Sequence, residues 1–124
     1  MENKIIYFMR HGHYGSERLT KEGKLQVRNS AQEIKEELNG TKRIRIYSSP
    51  KIRAKQSAKI IADTLLPVKA KIQVKEKLDS CNGGVGDLVS TINSFPAIIV
   101  GHQPDLRDYL GKSLSEGEYV KIVR

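Results

Sequence analysis

Apolar residues recur along the chain with two different periods, and these periods predict where the strands and helices lie. Residues 5–9 form a β-branched and aromatic run of the kind found in a buried central strand. Residues 43–47 alternate between charged and apolar side chains, and the charge in residues 71–74 suits a strand near a sheet edge. The sequence therefore predicts strands at residues 5–9, 43–47, 71–74, 97–100 and 119–123.

Two longer stretches place apolar residues three and four positions apart, which is typical of helices with one buried face. The first begins after Thr20, a suitable N-cap, and Gly40 ends it. The second has Ser49 as its predicted N-cap and Pro50 at its first helical position, and it ends at Pro67. The predicted inward residues are Val27, Ala31, Ile34 and Leu38 in the first helix and Ala54, Ala58, Ile61 and Leu65 in the second.

Loops and short helices fill the remaining positions. Residues 13–19 are predicted to form a loop, and the glycine-rich residues 78–87 a mobile loop. A nucleotide-binding loop is not favoured at residues 78–87, because no strand, glycine-rich turn and helix with a following Lys-Ser/Thr occurs there. Short helices are expected near residues 88–92 and over residues 104–110.

The order of these elements predicts one α/β domain spanning residues 1–124, with a mostly parallel sheet and helices on both faces. The carboxyl ends of parallel strands lie on one edge of such a sheet, and open α/β sheets bind ligands there. Polar residues follow the first, second and fourth predicted strands, so we expect them to converge. They are Arg10, His11 and Gly12, then Ser48 and Ser49 with Arg53, and then His102.

The converging side chains suit a phosphoryl group. Arg10 and Arg53 can each present a bidentate fork to phosphate oxygens, and the N-terminal amides of the second helix would point to the same place. One histidine could attack phosphorus, since nearby arginine cations lower its pKa from about 6.5 and keep it neutral. The other could donate hydrogen bonds to the equatorial oxygens. The spacing of His11, His13 and His102 lacks a helical metal-ligand pattern, so no metal is expected.

Four motifs, in the same order along the chain, resemble the histidine phosphatase superfamily, which has the phosphoglycerate-mutase-like fold. Its hallmark Arg-His-Gly corresponds to residues 10–12, and its Leu-Thr-x-x-Gly helix opening to residues 19–23. Its Ser-Ser-Pro-x-x-Arg-Ala-x-Gln-Ser-Ala motif corresponds to residues 48–58, and its late Gly-His-x-Pro to residues 101–104. The resemblance implies a three-layer α/β sandwich, without a cap domain in a chain of this size.

The resemblance also implies roles for the converging residues. His11 would be the phosphorylated nucleophile, and no cofactor would be needed. The small size is similar to that of the compact bacterial branch that removes phosphate from protein phosphohistidine. The residues expected to bind or act on the substrate are Arg10, His11, Gly12, Ser49, Arg53 and His102.

The acid that protonates the leaving oxygen in many members has no recognisable motif in this chain. Glu76, Asp79 and Asp87 lie in the corresponding stretch, and Asp79 is the first candidate, with an Asx turn as its alternative role. General acid catalysis typically contributes about 10²–10⁴-fold in rate, so a poor acid would penalise alkyl phosphate esters. Phosphohistidine depends less on an acid, because imidazole leaves easily. A phosphohistidine protein is therefore the expected substrate.

Two other functions remain open at the level of sequence. One is a phosphatase of small phosphate esters, and the other is a non-catalytic module that binds phosphate or phosphoproteins. Three further residues could touch the site but are expected at the surface: His13, Arg18 and Arg107. Cys81, the single cysteine, is expected to be an inert or incidentally oxidisable thiol and not a catalytic one.

Charge and hydropathy limit the classes of binding partner that the sequence predicts. The net charge is +8, and residues 41–62 contain seven Lys or Arg and no acid, which would attract phosphate-bearing or acidic partners. A solvated basic surface is the plainer interpretation, and nucleic acid is not the favoured partner because no nucleic-acid-binding motif accompanies these residues. No apolar run approaches the roughly 18 residues that span a membrane, and the start does not match a signal peptide. A cytoplasmic location without membrane contact is expected.

Overall fold

The computed structural model describes residues 4–79 and 84–123, in which helices cover both faces of a five-stranded sheet. The strands are β1 (Ile5–Arg10), β2 (Tyr14–Gly15), β3 (Arg18–Leu19), β4 (Arg43–Ser48), β5 (Lys69–Val74), β6 (Ala97–Gly101) and β7 (Tyr119–Val123). The helices are α1 (Lys21–Glu37), α2 (Ile52–Leu65), α3 (Val85–Thr91) and α4 (Asp105–Leu110), with a short 3₁₀ helix at Glu76–Leu78.

The main sheet has the strand order β5-β4-β6-β1-β7. Its strands run parallel except β7, which is antiparallel to β1. The predicted α/β fold with a mostly parallel sheet is confirmed, and β5 lies at an edge as its charge indicates. The carboxyl ends of β1, β4 and β6 therefore meet at one edge.

The two faces of the sheet bury two apolar clusters. Side chains alternate across a strand, so Tyr7 and Met9 pack against α1 and α2, whereas Ile6 and Phe8 pack against α3 and α4. The inward residues predicted for the two long helices are all buried: Val27, Ala31, Ile34, Leu38, Ala54, Ala58, Ile61 and Leu65.

The ends of α1 follow the prediction. Thr20 is its N-cap, and the Thr20 hydroxyl accepts a hydrogen bond from the Gly23 N–H at 3.0 Å. Its C-cap is Leu38, and Gly40 lies two residues further on with φ +87°. That positive φ suits glycine, which has no Cβ to clash in the left-handed region.

The predicted start of α2 is wrong. The helix begins at Ile52 with Lys51 as its N-cap, two residues later than the predicted start with Ser49 as N-cap and Pro50 as the first helical residue. The reason is that Ser49 still belongs to the end of the sheet, where its N–H donates to the Val100 carbonyl at 3.2 Å. The Ser49 hydroxyl is hydrogen-bonded to His102 Nε2.

Two loop predictions also need correction. Residues 13–19 contain a small antiparallel hairpin, β2–β3, and α3 begins at Val85 rather than near Leu88. Val85, Leu88 and Val89 are all buried, so tertiary packing extends the helix into the glycine-rich stretch. Leu78 ends the 3₁₀ helix. Residues 80–83 of the mobile loop predicted at residues 78–87, including Cys81, lie outside the described residues.

Candidate active site

The carboxyl edge of the sheet brings together the residues that the sequence placed there. His11 follows β1, Ser49 follows β4, and His102 follows β6. The rings of His11 and His102 lie 5.0 Å apart between centroids. Arg53 is the second residue of α2, and its Nε donates to His11 Nε2 at 3.3 Å. The expected convergence of these strand ends is confirmed as geometry.

Hydrogen bonds define the state of His11. The ring is 2% exposed, and its Nδ1 lies 2.9 Å from the Gly12 carbonyl oxygen, which can only accept. Nδ1 therefore carries the proton, as the carbonyl requires. Nε2, which accepts from Arg53, then holds the free lone pair. The arrangement presents Nε2 as a nucleophile.

The electrostatics of His11 favour the neutral ring. Burial is the largest cause that lowers its pKa, to about 4, and Arg53 and Arg10 lower it further. The bond to the Gly12 carbonyl acts in the opposite direction. The pKa of His11 is lowered, as expected from the sequence, but burial contributes more to the shift than the two arginines on which the expectation rested.

His102 is the second buried imidazole. Its Nε2 lies 2.6 Å from the Ser49 hydroxyl oxygen, and burial, with His11 and Arg53, lowers its pKa to about 4. Ser49 thus holds the orientation of His102. Both imidazoles are uncharged at neutral pH.

Two buried nitrogens of the cluster have no hydrogen-bond partner within residues 4–79 and 84–123: Arg10 Nε and His102 Nδ1. The rest of the Arg10 guanidinium is anchored, because Nη1 donates to the Leu114 carbonyl at 3.1 Å. Buried polar atoms are rarely unpaired, and the oxygens of a bound phosphoryl group would satisfy such nitrogens.

Tyr14 is a site residue that sequence reasoning missed. It lies in the β2–β3 hairpin, and the Arg53 guanidinium carbon lies 4.2 Å from its ring centroid. The same ring meets the His11 ring edge-on, with centroids 5.2 Å apart. Tyr14 therefore orients Arg53 and shields His11. The available signal was an aromatic residue three positions after His11.

Two side chains of α2 hold the loops of the site in place. The Ser57 hydroxyl donates to the Arg53 carbonyl at 2.8 Å and accepts from the Gly12 N–H at 3.2 Å. Gln56 Oε1 accepts from the Leu19 N–H at 2.7 Å, which ties the hairpin to α2. The Gln-Ser pair of the motif thus joins both loops to α2.

Gly12 and Gly23 allow the start of α1 to approach the loop after β1. A Cβ on Gly12 would collide with the Gly23 carbonyl, and a Cβ on Gly23 would collide with the backbone of His13. The absence of side chains at these two positions fixes the loop that contains His11 against α1.

Carboxylates lie at the rim of the site. Asp79 Oδ1 lies 3.5 Å from Lys51 Nζ, and the Asp79 charge acts to raise the pKa of His102. Glu116, which was not a candidate from sequence, acts likewise to raise the pKa of His11. The other two acids considered from sequence, Glu76 and Asp87, are exposed. The role of Asp79 as an acid stays a prediction.

The remaining candidates lie outside the histidine pair. His13 is half-exposed, and its Nδ1 lies 2.9 Å from Glu116 Oε1, a bond that raises the pKa of His13. Arg18 is exposed in β3, and Arg107 is exposed in α4, where its Nε lies 3.7 Å from Asp108 Oδ1.

The described part of the chain has neither a metal-binding cluster nor a membrane-spanning helix. Residues 4–79 and 84–123 contain no group of three or more His, Cys, Asp or Glu side chains placed to hold a metal ion. Within the same ranges, no helix has the length and apolar character to cross a membrane.

The chain is similar to known proteins in sequence pattern and in fold. A family model described as histidine phosphatase superfamily (branch 1) matches residues 6–94. A comparison with curated protein sequences found no match.

Solved structures share the fold. A structure described as the phosphohistidine phosphatase SixA from Agrobacterium tumefaciens is 13% identical with a TM-score of 0.71, covering 95% of this chain and 90% of that one. The protein histidine phosphatase SixA complexed with tungstate is 19% identical with a TM-score of 0.70, covering 86% and 74%. Phosphoglycerate mutase from Plasmodium falciparum is 27% identical with a TM-score of 0.68, covering 87% and 67%.

Proposed function

The chain belongs to branch 1 of the histidine phosphatase superfamily, and we propose that it hydrolyses phosphorylated substrates through a phosphohistidine formed on Nε2 of His11. The observation that carries the proposal is the hydrogen-bonded state of His11. Its Nδ1 is committed to the Gly12 carbonyl, and its unprotonated Nε2 faces Arg53. A neutral imidazole beside a fixed guanidinium is suited to attack a bound phosphoryl group.

The first step transfers the phosphoryl group to the enzyme. The lone pair of His11 Nε2 attacks phosphorus, and the bond from phosphorus to the leaving atom breaks. The ring gains positive charge, which the Gly12 carbonyl at Nδ1 stabilises. Arg53 and Arg10 act on the negative charge of the equatorial oxygens, as fixed cations do in phosphoryl transfer.

The second step releases phosphate. A water molecule attacks the phosphorylated His11, the P–N bond breaks, and Nε2 recovers its lone pair. His102, held by the Ser49 hydroxyl at Nε2, lies beside His11. Its Nδ1, which has no partner among the described residues, can donate to the transferred oxygens. Dividing the reaction through a covalent intermediate replaces one difficult displacement by two easier ones.

For the substrate, we propose a protein phosphohistidine. Imidazole leaves more easily than an alkoxide, so this substrate needs little help from an acid, and the carboxylates near the histidines belong to a rim where Asp79 is paired with Lys51 and Glu116 with His13. One structure that shares the fold is described as a phosphohistidine phosphatase and another as a protein histidine phosphatase, which supports the same class of substrate.

The decisive experiment replaces His11 by Ala. The wild-type protein should release phosphate from a phosphohistidine peptide and carry acid-labile phosphate when it is trapped during turnover. His11→Ala should lose both signals while its circular dichroism spectrum stays unchanged. His13→Ala is the matched control, because the His13 side chain is half-exposed and paired with Glu116, and it should keep both signals. Turnover in His11→Ala would overturn the mechanism.

The alternative substrate class is a small phosphate ester, and the position of Asp79 near His102 is the observation in its favour. If Asp79 were the acid, Asp79→Asn would slow hydrolysis of glycerol phosphate by about 10²–10⁴-fold and barely affect a phosphohistidine peptide. Turnover of glycerol phosphate equal to that of the peptide would count against a phosphohistidine substrate. Steady hydrolysis of an activated aryl phosphate would exclude a module that only binds phosphate.

A further inference from the structure

A basic groove lies on the outer side of the α1–α2 layer, between these helices and β3. It encloses about 460 Å³, and Ile52 and Ile60 supply its apolar lining. Among the described residues, no carboxylate lines it. Five cations do: Arg18, Lys24, Arg28, Lys55 and Lys59.

The positive charge of this groove is mostly uncompensated. Within the described ranges, Lys59 alone among the five cations has an ion-pair partner, the exposed Asp63 at 3.1 Å. Cations that converge without counter-charge repel one another, and a negatively charged partner relieves that repulsion.

The groove and the candidate active site share one wall. In the β2–β3 hairpin, Tyr14 pairs with Leu19 and contacts His11, while Arg18 lines the groove. Gln56 lines the groove as well and binds the Leu19 N–H. Because neighbouring strands lie about 4.8 Å apart, a segment in the groove would be separated from the histidines by little more than one hairpin.

The groove continues away from the site. A second depression of about 380 Å³ shares Arg28 and Ile60 with it and is also lined by Lys35 and Asp63. Together the two depressions follow the seam between α1 and α2. An extended segment of chain suits this shape better than a compact ligand.

We propose that this groove binds an acidic segment of the phosphoprotein substrate and so presents the neighbouring phosphohistidine to His11; the inference rests on the proposed function. A protein segment is favoured over single-stranded nucleic acid, because the described residues of the lining include isoleucines and no aromatic side chain on which bases would stack. Acidic side chains would pair with the five cations, and apolar neighbours would contact Ile52 and Ile60.

The test uses two phosphohistidine peptides that differ only in a tail of six glutamates or six glutamines. The wild-type KM should be about tenfold lower with the glutamate tail, because several exposed ion pairs contribute modestly and add. The variant Lys24→Glu/Lys55→Glu should lose this ratio. The control Lys69→Glu/Lys71→Glu makes the same charge change in a separate basic depression at β5, which Arg43 and Arg45 also line, and it should keep the ratio.

A binding measurement separates docking from catalysis. Fluorescence anisotropy with the unphosphorylated glutamate-tailed peptide should show binding that weakens about tenfold in the groove variant but not in the control, and that weakens with salt. If binding follows this pattern while the phosphohistidine peptide is not hydrolysed, the proposed function fails and the docking surface stands.

Three outcomes would overturn the inference. One is an equal KM for both tails together with no detectable binding of the glutamate-tailed peptide. Another is an equal loss in the groove and control variants, which would reflect net charge alone. The third is tighter binding of a single-stranded DNA 20-mer than of the peptide, abolished by the groove variant, which would assign the surface to nucleic acid.

Discussion

Acidification from pH 7 to pH 5 should destabilise the fold through the two buried histidines. Burial lowers the pKa of His11 and of His102 to about 4 in the folded protein, against 6.5 in the unfolded chain. Between these values the unfolded chain binds more protons, so stability falls as the pH falls from about 7 towards 4.

The size of this effect follows from the two pKa values. At pH 5 a histidine of pKa 6.5 is about 97% protonated and one of pKa 4 about 9%, which corresponds to about 2 kcal/mol per histidine. Both histidines together would remove roughly 4 kcal/mol, a large part of the 5–15 kcal/mol that typical domains possess.

Urea unfolding at pH 7, 6 and 5 measures this loss. His11→Gln should reduce the loss between pH 7 and pH 5 by about 2 kcal/mol, because glutamine cannot titrate. His13→Gln is the opposite control: Glu116 raises the pKa of His13, so its contribution is present at low pH and fades as the pH rises through that value. Replacing His13 should therefore enlarge the loss of stability between pH 7 and pH 5. An equal loss in wild type and His11→Gln would refute the reasoning.

Three further variants test the supports of the site. Tyr14→Ala should lower kcat/KM for an aryl phosphate by about 2- to 30-fold, because the cation–π contact that orients Arg53 is lost, whereas Tyr14→Phe should stay near wild type. Ser57→Ala should lower the free energy of unfolding by about 1–3 kcal/mol, since the buried Gly12 N–H loses its acceptor. Gly23→Ala should cost about 2 kcal/mol or more through the clash of its Cβ with backbone.

Matched controls exist for the two stability variants. Ser90→Ala removes an exposed hydroxyl that donates to a carbonyl three residues earlier, and it should change stability by less than about 0.5 kcal/mol. Gly86 lies inside α3, and a Cβ added there would make ordinary contact with Tyr109. Gly86→Ala should therefore leave the free energy of unfolding unchanged or raise it slightly. Equal effects in test and control variants would contradict the assigned contacts.

The helices and the convergence of the site were predictable because both depend on regular geometry. Residues such as Val27 and Ala58 are buried because a helix that covers a sheet must bury one face. His11 and His102 meet because parallel strands end on the same edge, whatever separates them in sequence.

What the sequence did not reveal depends on contacts between distant residues. Ser49 has the local character of an N-cap, yet its hydroxyl is used by His102, 53 residues away. The strands around Tyr14 are two residues long, too short to show a period. The burial that dominates the pKa of His11 is a property of the packed fold, whereas the nearby arginines are visible in the motifs.

The position of β1 has a consequence for how the chain folds during synthesis. Both neighbours of this strand, β6 and β7, lie near the other end of the given sequence, so they are made long after β1. Until Ala97–Gly101 has emerged, the strand that leads to His11 has apolar side chains and two open edges. Such a strand is prone to pair with other chains. His11 is therefore made well before its pocket can assemble, because long-range pairing closes the sheet around it only after β6 and β7 have emerged.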